Sequence, residues 1–198
     1  MTLVLASTSA ARRQMLASAG VPHEAIAPRV DELALKESLG ARGLGGRETA
    51  DALAEVKAVK VSQRLPGALV LGADQILATQ DRQLLDKPES RDDAAAQLRL
   101  LRGSVHKLIS AAVIALDGQP VWRAVDQAEL AMRHFSDAYL DQYLDREWPE
   151  ISGCVGCYRL EGMGVQLFSR VRGNYFTVLG LPLLPVLDFL RIRGVLPS

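Results

Sequence analysis

The chain has 198 residues, of which 48% are hydrophobic and 23% are charged, and its 23 basic side chains balance 23 acidic ones. This length and composition are typical of one globular domain, and they exclude a disordered, collagen-like or coiled-coil chain. Proteins that hold nucleic acid by its phosphates carry a strong basic excess, so we expect no nucleic-acid partner and only local phosphate binding.

The amino-terminal segment predicts a strand, a polar loop and a helix. An apolar run over residues 3–6 is followed by Ser7-Thr8-Ser9, and a helical pattern then continues to Gly20. Residues 21–28 are expected to be extended. Residues 32–47 contain four glycines, which predicts a loop with space for one short helix.

The middle of the chain predicts a long helix and a buried strand. A broad apolar face predicts a helix from Arg47 to Leu65, and a proline and a glycine end it. Residues 68–73 form a continuous apolar run, which predicts a buried strand with Asp74 at its carboxyl end. The apolar pairs at 76–77 and 84–85 then predict a hairpin.

The carboxyl half continues with helices and a long hairpin. The predicted elements are a helix over 90–102, two strands over 104–116 and 120–133, a helix over 136–146, short strands within 147–180 and a closing helix over 183–193. Helices and strands alternate early and a hairpin follows, so the predicted fold class is α/β with a mixed sheet.

We expect a cytoplasmic protein without a membrane partner. The chain starts with no basic segment followed by a long apolar one, and no stretch approaches the roughly 18 apolar residues of a membrane span. Cys154 and Cys157 are then expected to be free thiols. A zinc site would need a second pair of ligands, and a redox-active dithiol usually lies at a strand-to-helix junction. The favoured interpretation is therefore that both cysteines are small buried residues.

Hydroxyl groups and two arginines surround the predicted start of the first helix. The first N–H groups of a helix have no partner within it and its dipole adds positive potential, so Ser7, Arg12 and Arg13 could cradle a phosphate. The alternative is that Ser7 or Ser9 only caps the helix and that both arginines are solvated. The glycine-rich P-loop pattern is absent.

Four further charged residues are candidates for the same chemistry. Asp74 could hold Mg²⁺ or orient an attacking water, or it could cap its own turn. Lys87 precedes a proline that could hold its amine toward a site. From the residues alone, solvated side chains are the favoured interpretation of Lys87, Lys57 and Glu32.

Together these segments resemble the Maf family of nucleotide pyrophosphatases over almost the whole chain. The motifs that carry the resemblance are Leu5–Leu16, Val30-Asp31-Glu32, Ala54–Ala58, Gly72–Gln75, Asp86-Lys87-Pro88, Glu161–Gly164 and Gly180-Leu181-Pro182. Each motif is weak alone, but their order and spacing are specific.

The resemblance implies a single domain over residues 1–198, an elongated mixed sheet with flanking helices, and two lobes around a central cleft, similar to inosine triphosphate pyrophosphatases. The implied reaction converts a nucleoside triphosphate to the monophosphate and pyrophosphate, with Mg²⁺ or Mn²⁺ as the cofactor. Asp74 is implied as the proton acceptor, with Glu32 and Asp74 at the metal. The residues implied to bind substrate are Ser7, Arg12, Arg13, Lys57, Gln75, Lys87 and Glu161.

Within the family, three segments resemble the branch that acts on 7-methyl-GTP. These are Ser7-Thr8-Ser9, Asp74-Gln75 and Glu161. An N7-methylated guanine is cationic, so a carboxylate facing it would gain Coulomb energy that a glutamine would not. The chain departs from the usual pattern at Ala10 and Ala11, where proline and often arginine are usual, and at Asn174, where aspartate is common.

Two other functions stay open from the sequence. The septum-related name of the family suggests a nucleotide-binding regulator of cell division, in which catalysis is incidental. The residues by themselves would also fit a phosphate- or nucleic-acid-binding module. The family also implies a homodimer, but no feature of the sequence locates an interface.

Overall fold

The computed structural model describes residues 3–197 as a mixed seven-stranded sheet with flanking helices, which confirms the predicted α/β class. The strands are β1 (Leu3–Ala6), β2 (His23–Ala25), β3 (Leu69–Thr79), β4 (Leu84–Leu85), β5 (Val105–Leu116), β6 (Gln119–Met132) and β7 (Phe168–Arg172). The helices are α1 (Ala10–Ser18), α2 (Glu32–Ala41), α3 (Gly46–Ser62), α4 (Arg91–Leu101), α5 (Asp137–Glu147), α6 (Tyr175–Val178) and α7 (Leu183–Ile192), with 3₁₀ turns at Glu150–Gly153 and Met163–Leu167.

The strands lie in the order β2-β1-β3-β5-β6-β7, and β4 pairs with the end of β3. β1 is parallel to both of its neighbours, and the other pairs are antiparallel. β5 and β6 form the long hairpin that the sequence predicts. Within residues 3–197, no helix combines the length and apolar character needed to cross a membrane.

The segment over residues 32–47, predicted as a loop with space for one short helix, contains a ten-residue helix, α2. Asp31 begins it, because its Oδ1 accepts a hydrogen bond from the backbone N–H of Ala34 at 3.1 Å. The glycines lie at or beyond the last turn of α2, and the loop that they indicated is limited to residues 42–45. One consequence is that Glu32 stands on the first turn of a helix.

β3 does not end before Asp74, so the prediction that Asp74 follows the strand was wrong. The strand continues to Thr79 because it pairs with β5 without interruption, from Val70 opposite Ala115 to Thr79 opposite His106. This ladder satisfies the backbone on both sides of Asp74 whatever the polarity of its side chain. Asp74 therefore lies in the middle of a central strand and is buried.

Alternation along β3 decides what each side chain meets. Gly72 lies against α3, and a Cβ built on it would come 2.2 Å from the carbonyl oxygen of Ala54 and 2.6 Å from the nitrogen of Ala58. Asp74 is two residues further and faces the same helix. Lys57 lies on the α3 face that carries Ala54 and Ala58, so its ammonium is presented to Asp74.

The opposite face of the sheet carries two apolar clusters. One packs β1 and β3 against α1 and α7, and the other packs the far halves of β3, β5 and β6 against α4 and α5. Between them lie Gln75, Ser110 and Asp126, which are cross-strand neighbours on β3, β5 and β6. These three residues, called the polar row below, lie between the two apolar clusters.

A buried histidine, His106, lies on the same strand as Ser110. The ring of His106 lies between Tyr158 and Phe168, with centroid distances of 5.7 Å and 5.9 Å. Its Nε2 is 2.7 Å from the hydroxyl oxygen of Tyr158. Burial lowers the pKa of His106 to about 4, so the imidazole is neutral at pH 7 in the folded protein.

We expect His106 to make the protein less stable in acid. A histidine in the unfolded chain has a pKa of about 6.5, so the unfolded state binds a proton that the folded state rejects. The contribution to the free energy of unfolding is full above about pH 6.5 and falls, by about 3 kcal/mol in total, as the pH drops toward the folded-state value of about 4.

Urea unfolding between pH 4.5 and 7 checks this prediction. His106→Gln keeps a polar partner for Tyr158 but does not titrate, so its stability should depend less steeply on pH than that of the wild type. His134→Gln changes an exposed histidine and serves as the control. Equal slopes for the wild type and His106→Gln would contradict the prediction.

Candidate active site

A cleft of about 1320 Å³ opens beside the centre of the sheet. It is bounded by the loop before α1, the first turn of α2, the middle of β3 and the segments around Lys87, Tyr158 and α6. All but one of the site residues predicted from the sequence line it: Ser7, Arg12, Glu32, Lys57, Asp74, Gln75, Lys87 and Glu161. Arg13 is exposed and is not part of this lining.

Lys57 links the two predicted acidic residues. Its Nζ lies 2.5 Å from Oδ1 of Asp74 and 2.8 Å from Oε1 of Glu32. Lys57 and Asp74 are 5% exposed, so this ion pair is largely removed from solvent. The structure therefore excludes both predicted alternatives, a solvated lysine and an aspartate that caps a turn.

Glu32 is ionised at neutral pH in this arrangement. Burial alone would raise the pKa of its carboxyl group, but the charge and hydrogen bond of Lys57, with smaller contributions from Lys87 and Lys36, lower the pKa below its usual value. Two carboxylates and one ammonium thus meet at the base of the cleft. The ammonium has three N–H donors, so one is left for a further acceptor.

Arg12 is held in the cleft by the backbone of distant segments. Its Nε donates to the carbonyl of Gly180 at 2.8 Å, and its Nη1 donates to the carbonyl of Ala73 at 3.0 Å. Burial lowers the pKa of the guanidinium, while Asp74 and Glu32 oppose the shift; an arginine in a protein keeps its charge. The geometry therefore distinguishes Arg12, which faces the site, from Arg13, which faces solvent.

The loop before α1 caps the helix and also lines the cleft. Ser9 caps the helix, since its hydroxyl accepts from the backbone N–H of Arg12 at 3.4 Å. The Ser7 hydroxyl accepts from the backbone N–H of Ser9 at 3.2 Å and lies 3.4 Å from Nη1 of Arg12. Ser7 is buried and lines the cleft, so its hydroxyl lies beside the guanidinium of Arg12 in the cleft lining.

Additional charges occur near the rim of the cleft. Lys87 is exposed and lines the cleft close enough to Glu32 to lower the pKa of that carboxyl group. Lys36 on α2 forms an ion pair with Asp86. The sequence analysis missed Lys36, although its position one turn after Glu32 on a helix would have placed both on one face.

The cleft lining also includes two exposed glutamates, Glu161 and Glu150. Arg159 is nearby, but its Nη2 lies 2.9 Å from Oε2 of Glu147, and this hydrogen bond raises the pKa of the guanidinium. The charge of Arg159 is therefore paired with Glu147.

Gln75 and Asn174 make structural contacts that the sequence did not indicate, and the two cysteines line or pack behind the cleft as unpaired thiols. The Gln75 amide donates to the carbonyls of Thr177 and Val178 at 3.0 Å and 2.9 Å, so it connects β3 to α6. Asn174, to which no role was assigned, caps α6 by accepting from the backbone N–H of Phe176 at 2.9 Å. Cys157 is buried and Cys154 lies in the cleft wall, and burial raises the pKa of both thiols.

Comparisons with known proteins identify the family. The model of the family described as "Maf-like protein" matches residues 2–192. A nucleoside triphosphate pyrophosphatase of Caulobacter vibrioides is 54% identical over 194 residues, which cover 98% of this chain and 96% of that protein. A nucleoside triphosphate pyrophosphatase of Sphingopyxis alaskensis is 50% identical over the full length of both chains.

A solved structure named as a nucleoside-triphosphatase, dITP/XTP pyrophosphatase, from Mycobacterium abscessus aligns with 100% of this chain and 98% of its own, at 14% identity and a TM-score of 0.45. The family model matches residues 2–192, and the two relatives share about half of their residues with this chain over almost its full length. The chain belongs to the Maf-like protein family.

Proposed function

We propose that this protein hydrolyses the bond between the α- and β-phosphates of a nucleoside triphosphate, releasing the monophosphate and pyrophosphate. The observation that supports this most directly is the convergence of Asp74, Lys57 and Arg12 at the base of one cleft. The volume of about 1320 Å³ is sufficient for a nucleotide. The curated relatives that share about half of the sequence carry the name of this activity.

In the proposed reaction, Asp74 accepts the proton of the attacking water. The water oxygen forms a bond to the α-phosphorus, the bond to the bridging oxygen breaks, and its electron pair leaves with pyrophosphate. Phosphoryl transfer requires mainly positioning and charge stabilisation. Arg12, Lys57 and Lys87, with the Ser7 hydroxyl, supply cations and donors toward the phosphates, so the zero net charge of the chain is no obstacle.

The residues at the base of the cleft also fit a divalent cation. Among residues 3–197 there is no cluster of three or more metal-ligating side chains, but Glu32 and Asp74 both bond the same ammonium. Mg²⁺ is often held by one or two carboxylates together with substrate phosphates. Glu32 and Asp74 would hold Mg²⁺ or Mn²⁺ with the nucleotide, and the bound cation would neutralise phosphate charge.

A pyrophosphate-release assay tests the proposed function. The purified protein is incubated with 7-methyl-GTP, UTP, dTTP and the standard nucleotides, in Mg²⁺, in Mn²⁺ and in excess chelator. We expect equal amounts of monophosphate and pyrophosphate, and loss of both in chelator. Binding without any turnover would instead support a nucleotide-binding regulator of cell division, and release of single phosphates would exclude the proposed bond.

For the substrate we propose a modified purine nucleotide with a cationic base, such as 7-methyl-GTP. Arg12 and Lys57 are proposed to bind the phosphates, and the exposed Glu161 lines the same cleft. A triphosphate bound by these cations would extend its base toward Glu161. The Glu161 carboxylate would attract a methylated guanine more than a neutral uracil.

Glu161→Gln is expected to lower the ratio of 7-methyl-GTP to UTP turnover by about fivefold, the equivalent of about 1 kcal/mol for one partly exposed charge pair. The measurement is kcat/KM for both nucleotides. Glu150→Gln removes a charge from the same region and is the matched control. Equal changes for the two variants would mean that the general field, and not Glu161, discriminates.

Three further properties of the protein are proposed as well. We propose that the chain forms one domain with two lobes around the cleft, acts in the cytoplasm and associates as a homodimer. Analytical ultracentrifugation would test the last of these.

A further inference from the structure

The polar row, Gln75, Ser110 and Asp126, has no place in the proposed chemistry, yet it crosses a face that is apolar on both sides. Its neighbours on that face are Ala73, Leu77, Leu108, Ala112 and Ala128. Ser110 is fully buried. Buried polar groups destabilise the fold unless they are hydrogen-bonded. The hydrogen-bond partners of the row therefore show which segment it positions.

All three members of the row bind one residue, Thr177 of α6. Nε2 of Gln75 and Oγ of Ser110 donate to the Thr177 carbonyl at 3.0 Å and 2.8 Å. In the other direction, the Thr177 hydroxyl donates to Oδ2 of Asp126 at 2.6 Å. Thr177 is 0% exposed, so its orientation is determined by these bonds rather than by water.

The bonds continue from Thr177 to the candidate active site. The carbonyl of Thr177 also accepts from the backbone N–H of Gly180 at 3.1 Å. The carbonyl of Gly180 in turn accepts from Nε of Arg12 at 2.8 Å. Gly180 has φ +98°, a conformation that other residues rarely adopt, so its carbonyl is aimed by a backbone turn that depends on where α6 lies.

We infer that Thr177 and Asp126 are positioning residues for Arg12: the hydroxyl–carboxylate bond fixes α6, and α6 fixes the carbonyl that orients the guanidinium. This inference rests on the proposed function, in which Arg12 contacts the phosphates. Neither side chain is in the cleft lining, so each acts on the nucleotide only through other residues. Their loss should weaken nucleotide binding more than it slows the chemical step.

Thr177→Val removes the hydroxyl and keeps the shape of the side chain. We expect KM for the nucleotide to rise about tenfold, the effect of one charge-assisted hydrogen bond, while kcat changes less than about twofold. Thr177→Ser restores the donor and should return KM close to the wild-type value. If Thr177→Val does not fold, Asp126→Ala removes the acceptor from the other side and is expected to give the same result.

Thr49→Val is the matched control for loss of a buried hydroxyl. Thr49 is 1% exposed, and its hydroxyl donates to the Gly45 carbonyl at 2.8 Å, away from the cleft. Its thermal stability should fall about as far as that of Thr177→Val, with KM unchanged. Equal KM values for both variants would overturn the inference.

A double-mutant cycle with Arg12→Ala decides whether the effect passes through Arg12. If it does, Thr177→Val should add nothing to KM once Arg12 is alanine. Fully additive effects would mean that Thr177 acts elsewhere on the cleft wall, which contradicts the inference. A wild-type protein that releases no pyrophosphate would refute the proposed function, whereas an active wild type with unchanged KM in Thr177→Val refutes this inference alone.

Discussion

Asp74→Asn is expected to reduce kcat by about 10³-fold, within the range that a general base contributes. The variant keeps the shape of the side chain but removes the group that takes the proton of the attacking water. Lys57 would still be paired with Glu32, whose Oε1 lies 2.8 Å from its ammonium. Nucleotide affinity measured without a divalent cation should therefore change much less than turnover.

Steady-state kinetics and isothermal titration with a non-hydrolysable α,β-methylene nucleotide measure the two quantities separately. Asp81→Asn changes an exposed aspartate in the turn between β3 and β4 and should leave both unchanged. Asp74→Asn with wild-type turnover would remove Asp74 from the mechanism. A folded Asp74→Asn that has lost binding and turnover equally would make Asp74 a binding residue instead.

Gly72→Ala should destabilise the protein by about 3 kcal/mol or more, the upper part of the range for overpacking a core. The added Cβ would lie 2.2 Å from the Ala54 oxygen and 2.6 Å from the Ala58 nitrogen, both in the backbone of α3. No rotation of a side chain can relieve contacts with a helix backbone, so α3 must move away from β3. Lys57 would move with it and turnover should fall as well.

Urea unfolding of Gly72→Ala beside Gly40→Ala makes this comparison. Gly40 lies in α2, and a Cβ built on it meets nothing within 4 Å. Its replacement should leave stability unchanged or raise it slightly, because alanine favours a helix more than glycine does. A Gly72→Ala variant as stable as the wild type would show that the separation of α3 and β3 is not set by this glycine.

Much of the fold could be predicted from local pattern. The long hairpin, the strand over residues 3–6 and the helices around Ala54 and Leu98 follow from hydrophobic period and turn residues, which depend only on neighbours in the chain. The errors occurred where distant pairing decides the outcome. β3 continues past Asp74 because β5 lies beside it.

The burial of side chains at the candidate site could not be predicted from the sequence either. Lys57 lies on a helix with an apolar face, where the residues alone favoured a solvated lysine. It is buried because Gly72 allows α3 to approach β3, and because Asp74 and Glu32 together compensate its charge. The polar row had a weak signal, since Ser110 interrupts the apolar face of β5, but nothing in the sequence connected it to Thr177.

The sequence by itself determined which residue types are available and which face of an element each one occupies, because both depend on chain-local geometry. The tertiary structure decided which faces meet: it separated Arg12 from Arg13, brought the Gly180 carbonyl to a guanidinium 168 positions away in the chain, and placed Lys57 between two carboxylates. The physical reason is that burial and hydrogen-bond partners are properties of contacts between segments, and the spacing within one segment does not specify them.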